Sequence, residues 1–177
     1  MRAMTALALM VVCAVGLGAQ TASSVTPKNL QVRQLEWQKV TLLAMADSMP
    51  ENLYRDKVTP EQRDFVGQIL HAAGFTNFVV GSFLGGSEPS PPDTASVLNS
   101  RTALKAFLTE AFDTSIEILQ NTSDETRTSR QPFFGQGDPI PLAEFLDQAY
   151  LHAAFTIGQI VANFRKHGMA PPAYVSF

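Results

Sequence analysis

Four stretches of the chain place apolar residues at three- and four-residue steps, and this spacing limits the fold more than any other feature. The clearest runs through Leu104, Phe107, Leu108, Ala111, Phe112, Ser115, Ile116 and Leu119. Residues three and four apart share one face of an α-helix, so the pattern predicts a helix with a single buried face. Ser100 before it and Asn121 after it bound this third helix. The first helix is expected from Pro27 to Ser48, with Thr26 as N-cap and proline in the first turn; Leu30, Leu35, Trp37, Val40, Leu43 and Ala44 mark its apolar side. The second is expected from Phe65 to about Leu84. Asp64 caps it, Phe65, Ile69, Ala72, Phe75, Phe78, Val79 and Phe83 form its stripe, and Gly85-Gly86 stops it. The fourth is expected from about Pro141 to His167. Its face is Leu142, Phe145, Leu146, Ala149, Ala153, Ile157, Ile160, Val161 and Phe164, and Gly168 provides a left-handed stop. No segment shows convincing strand alternation. Four long helices with one apolar face each imply an all-α four-helix bundle.

The connections are read as loops. Glu51 to Arg63 is polar and holds Pro60. Ser87 to Thr94 is rich in serine and proline. Thr122 to Pro139 is the longest and contains Phe133-Phe134, read as a tether to the core in preference to a lid. Hydrophobic residues make up 45% of the 177 residues and charged residues 16%, which is globular composition. The net charge of -3 offers no basic stripe, so nucleic-acid binding has no electrostatic support.

The N-terminus differs from the rest. Arg2 precedes an almost wholly apolar run from Ala3 to Leu17, and small residues follow at Gly18, Ala19 and Ala22. This is the layout of a secretory signal peptide over residues 1–19, with residues 20–26 as a flexible lead-in and residues 27–177 as the folded domain. The alternative is a membrane anchor, but the run falls short of the ~20 residues a spanning helix needs. An exported protein, periplasmic or secreted, is the expectation, with no membrane contact after cleavage. Cleavage removes Arg2 and also Cys13, the one cysteine. The mature chain then has no disulfide, no thiolate ligand and no cysteine nucleophile.

Candidate chemistry rests on few residues. His71 lies near the middle of the second helix and His152 near the middle of the fourth, both beside the apolar stripe. Metal sites in bundles are built from side chains on facing helices, and neutral imidazole is the commonest ligand. A core-facing histidine is nonetheless more often simply hydrogen-bonded. His167 lies too far along the fourth helix to join a site at His152, because ligands converge within about 2.1 Å of one ion. One turn after His152 stands Thr156, where a His-x3-His clip would have its second histidine. Gln148, Gln159 and Asp147 lie near the same level. Trp37 and Tyr150 are pocket candidates or packing. There is no GxSxG, no HExxH and no glycine-rich phosphate loop, and nothing singles out a nucleophilic serine.

The phrases Ala46-Asp-Ser-Met-Pro-Glu-Asn-Leu-Tyr54, Thr59-Pro-Glu-Gln-Arg63, Phe65-Val-Gly-Gln-Ile-Leu-His-Ala-Ala73, Leu151-His-Ala-Ala-Phe-Thr-Ile-Gly-Gln-Ile160 and His167-Gly-Met-Ala-Pro-Pro172 occur in this order. Together they resemble the DinB-like superfamily of four-helix bundles over about Pro27 to Pro172. The resemblance implies a divalent metal, often zinc or nickel, held by three histidines, and in some members the activation of a thiol for transfer. By position His71 matches the first ligand and His152 the second. Thr156 stands in place of the third, and Ile157 replaces the arginine of the motif; Gly158 and Gln159 are kept. The expected site is therefore the partial set His71, His152 and Thr156. Two functions follow as expectations. One is an exported binding module without efficient catalysis, for a small molecule or a partner protein. The other is a metal-dependent transferase or hydrolase activating a thiol or water at His71 and His152. A homodimer through an exposed helix face is also compatible with such a bundle.

Overall fold

The computed structural model describes residues 26–85 and 94–173. The expected signal peptide, most of the lead-in and most of the serine/proline loop lie outside them. Four long helices form the body: α1 (Pro27–Ser48), α2 (Phe65–Leu84), α4 (Arg101–Asn121) and α6 (Leu142–Lys166). The caps are those the sequence predicts. Thr26 and Asp64 accept from Asn29 and Gly67 at the starts of α1 and α2, and Gly85 and Gly168 take positive φ after α2 and α6. None of the described helices is long and apolar enough to cross a membrane.

The packing is chiefly α2 on α6 and α1 on α4, with α2 on α4 and α1 on α6 closing the ring. Partners along the helices give the directions. Phe65 meets Phe164 and Phe83 meets Phe145, so α2 and α6 are antiparallel. Lys39 pairs with Asp113 and Lys105 with Asp47, so α1 and α4 are antiparallel. Gln31 bonds Ala143 and Trp37 meets Tyr150, so α1 and α6 run together. α2 and α4 must then also run the same way, and the short α3 (Thr94–Asn99) packs on α4.

Residues 49–64 gather the ends of all four helices at one pole. The Glu51 carboxylate accepts from the first backbone N–H of α4 at 2.6 Å, and Arg101 donates to the Met49 carbonyl at 3.0 Å. Tyr54 is fully buried, and its hydroxyl donates to the Ala46 carbonyl at 2.6 Å. Asp64 caps α2 and accepts from Arg55 at 2.7 Å. Asp56 holds the end of α6, accepting from Lys166 at 2.7 Å and lying 2.7 Å from His167 Nε2. His167 is the residue at which α6 ends, and Gly168 follows it with positive φ.

Three expectations need correction. Leu30 and Val40 are not on the buried side of α1; they are 37% and 52% exposed. The buried line is Gln31, Leu35, Gln38, Leu42, Met45 and Met49, a regular helical stripe in which two positions are glutamine. Counting apolar letters alone shifts the face. Each glutamine has a partner: Gln31 Oε1 accepts from the buried Arg127 at 2.6 Å, and the Gln38 amide lies 2.8 Å from the Thr76 hydroxyl. Phe78, expected in the stripe of α2, is 40% exposed.

The third correction is the long connection. It is not a loop but the helix α5 (Asp124–Thr128) and an antiparallel hairpin of β1 (Arg130–Phe133) and β2 (Gln136–Pro141). Phe134 and Gly135 form its turn with φ of 49° and 73°. Two positive φ values suit the twist of a tight hairpin, but a bulky residue there is strained by roughly 1 kcal/mol or more. Packing offsets this strain. Phe134 contacts Phe75, Phe78, Phe83 and Phe133 with ring centroids 4.5 to 6.2 Å apart, and Phe133 packs on the fully buried Phe145 at 4.8 Å. The expected tether is therefore present. A bulge at Pro132 and glycines at 135 and 137 hide the two-residue alternation.

Two measurements check this account. Tyr54→Phe removes one buried hydrogen bond, so chemical unfolding should show a loss of about 0.5–1.5 kcal/mol. The bonds from Lys166 and His167 hold the Asp56 carboxyl below its usual range. A carboxylate with a depressed folded pKa stabilises above its unfolded pKa and loses that effect as pH falls through the folded one. The urea midpoint should therefore drop below about pH 4 in the wild type, and less so in Asp56→Asn.

Candidate functional site

The antiparallel packing of α2 on α6 decides which residues meet. Gln68, His71 and Phe75 follow one another on one side of α2, and His152, Thr156 and Gln159 on the facing side of α6. The structure brings His71 and His152 together at mid-height. Their Nε2 atoms are 3.0 Å apart and the rings meet edge-on, with centroids at 4.7 Å. Phe75 covers His152 at 4.3 Å between ring centroids, and Phe75 in turn touches Phe134 of the hairpin. One level towards the helix-end pole, the Gln68 amide donates to Gln159 Oε1 at 3.1 Å.

Both imidazoles are half-buried, and both are pushed below the ordinary histidine value. Burial is the larger cause, and the positive charge of Arg63 adds to it; for His71 the neighbouring His152 contributes as well. The pair is thus neutral near pH 7, and a 3.0 Å separation is then an N–H···N hydrogen bond. Its direction follows from His152 Nδ1, which is buried and has no partner among the described residues. An orphaned buried N–H is rarer than an orphaned acceptor. His152 therefore donates through Nε2 to His71 Nε2 and leaves Nδ1 bare.

The same two nitrogens can be tested as metal ligands. Bonds of about 2.0–2.1 Å at a tetrahedral angle separate two nitrogens by about 3.3 Å. The observed 3.0 Å comes close, so the pair meets the distance needed for two donors. The rest of the set does not fit a catalytic centre. No group of three or more histidine, cysteine or acidic side chains converges among the described residues. Thr156 is buried, and its hydroxyl donates to the His152 carbonyl of its own helix at 2.9 Å. A metal-bound His152 would also carry its proton on Nδ1, where ligating histidines normally find an acceptor and the described residues offer none. Arg63 adds positive charge beside the pair.

The other sequence candidates go elsewhere. Asp147 turns towards α1 and accepts from Gln31 at 3.3 Å, and Gln148 is exposed. Trp37 and Tyr150 pack edge-to-face at 5.7 Å. Tyr150 also borders a cavity of about 10 Å³ beside Gln38 and Thr76, too small for anything beyond a water-sized guest. Sequence reasoning missed Gln68, Phe75 and Arg63 as neighbours of the pair. Gln68 and Phe75 carried a signal, since they lie one turn either side of His71. Arg63 did not, because it precedes α2 and reaches the site only through the fold.

The solved structure of the DinB-like protein YjoA from Bacillus subtilis superposes with a TM-score of 0.66. The match covers 82% of this chain and 97% of that one at 16% sequence identity. A DinB-like protein from Bacillus cereus gives a TM-score of 0.62 over 82% of this chain and 95% of that one, at 18% identity. No family model matches the chain, and no curated protein does either. The bundle is thus DinB-like in fold.

The neutral pair has a measurable consequence. In NMR titration both histidines should protonate below about pH 6.5, and Arg63→Gln should raise both midpoints. The folded protein then binds fewer protons than the unfolded chain between those midpoints and about 6.5. Stability is retained above that window and lost as pH falls through it. His152→Gln should flatten this part of the stability profile.

Proposed function

We propose that this chain is an exported DinB-like binding module. On this reading the His71/His152 pair is the remainder of a metal site, and the protein works without efficient catalysis. The observation that carries the reading is the donor count. Two imidazole nitrogens stand in ligand range of one point, and the third position belongs to a threonine whose hydroxyl hydrogen is already committed to a backbone carbonyl. An open catalytic metal site normally keeps three protein ligands and one exchangeable position. Two donors, one without an outer partner among the described residues, make a weak chelate for zinc or nickel.

What the pair offers a small molecule is different. It presents the edge of a neutral, hydrogen-bonded histidine dyad beside the face of Phe75, with the charge of Arg63 acting on both rings. That field disfavours a cation and suits a neutral or anionic guest with an apolar part. Export is supported by the residues ahead of α1, where Arg2, the apolar run and the small residues at 18, 19 and 22 follow one another.

Metal content of protein purified without a metal-binding tag tests the proposal. The expected result is far less than one metal ion per chain, weak loading by added zinc or nickel, and no change in content in His152→Ala. Near-stoichiometric metal that vanishes in His152→Ala would overturn it. A metal-dependent transferase or hydrolase acting on a thiol or water would then be the better reading, and a screen with thiols and electrophiles the next step.

A further inference from the structure

The outward side of α6 carries a stripe that the other described elements leave uncovered. It runs Glu144, Gln148, Leu151, Phe155, Gly158, Ala162 and Arg165, at three- and four-residue steps through most of the helix. Leu151 and Phe155 at its centre are 59% and 72% exposed, the highest values of any large apolar side chain among the described residues. An apolar centre with a charged rim is the composition of an interaction surface.

The order of residues along the stripe identifies the partner. Glu144 stands at its N-terminal end and Arg165 at its C-terminal end. Glu144 and Arg165 are both exposed, and among the described residues neither forms an ion pair within the chain. They are equidistant from a point midway between Ala154 and Phe155. Leu151 and Gly158 are equidistant from the same point. A Cβ placed on Gly158 would meet nothing within 4 Å, so the helix surface there is an open notch. We infer that this face of α6 pairs antiparallel with the same face of a second copy, about a two-fold axis at that midpoint. One axis then does two things. It seats each Leu151 in the Gly158 notch of the other copy, and it sets each Glu144 against the other copy's Arg165. Such a self-complementary patch is what an isologous dimer requires, because every contact is made twice. The two Phe155 side chains pack beside the axis, where their exposed rings leave water together.

Sedimentation velocity across the micromolar range tests the dimer on the purified protein. The wild type is expected to show a monomer–dimer equilibrium. Phe155→Glu should weaken it at least about tenfold. Gly158→Leu should do the same by filling the notch, and because leucine favours the helix more than glycine, loss of folding does not account for that effect. Glu144→Arg should weaken association by placing like charges together, and adding Arg165→Glu should restore it. A wild type that stays monomeric overturns the inference. So does a dimer indifferent to both Phe155→Glu and Gly158→Leu, or a double charge variant that fails to regain association.

Discussion

The fold depends on how the segment between α1 and α2 handles helix ends. Every helix leaves unpaired N–H groups at its start and unpaired carbonyls at its finish. Here residues 49–64 bring the end of α1, the starts of α2 and α4 and the end of α6 to one pole and supply partners for each. Glu51 serves α4, Asp64 serves α2, and Asp56 holds α6. Tyr54 closes back on α1 from a fully buried position and packs on Phe65, which packs on Phe164. The registers of α2 and α6 are therefore set at this pole, and with them the meeting of His71 and His152 several turns away.

This explains what the most distinctive sequence phrases are for. The stretch from Ala46 to Tyr54 and its continuation to Arg63 carried much of the resemblance to DinB-like bundles. Its side chains cap, anchor and fill; apart from Arg63, whose charge acts on both rings, they do not reach the histidine site. A phrase that specifies one pole can persist when the chemistry at mid-height changes. The pair at His71 and His152 and the threonine at 156 are consistent with that separation: the scaffold brings the two imidazoles together, and the side chains around them decide what they can do.

The helices were legible because their signals are local. Thr26, Asp64, Gly85 and Gly168 act within one or two turns, and the stripe of α4 is nearly all apolar. The face of α1 was misread because Gln31 and Gln38 are buried, and their acceptability depends on Arg127 and Thr76, far away in the chain. The hairpin was missed for a related reason. Its turn uses Phe134 at positive φ, and only the distant rings of Phe75, Phe78 and Phe83 make that conformation worthwhile. The two histidines were found from their places on separate stripes. Their direct contact, and the charge of Arg63 beside them, belong to tertiary structure.

The parallel course of α1 and α6 has a mechanical consequence. The body starts at the pole bearing Thr26 and finishes at the pole bearing His167, so the two ends of the bundle face away from each other. Helices of 22 and 25 residues make that separation roughly 30–40 Å. Anything joined ahead of α1 leaves on the side of the hairpin, and anything joined after α6 leaves beside the gathered helix ends. Tension applied between the two attachments would load α1 and α6 in shear along their shared length, with Gln31, Trp37, Ala143 and Tyr150 sharing the force, instead of peeling them apart one contact at a time.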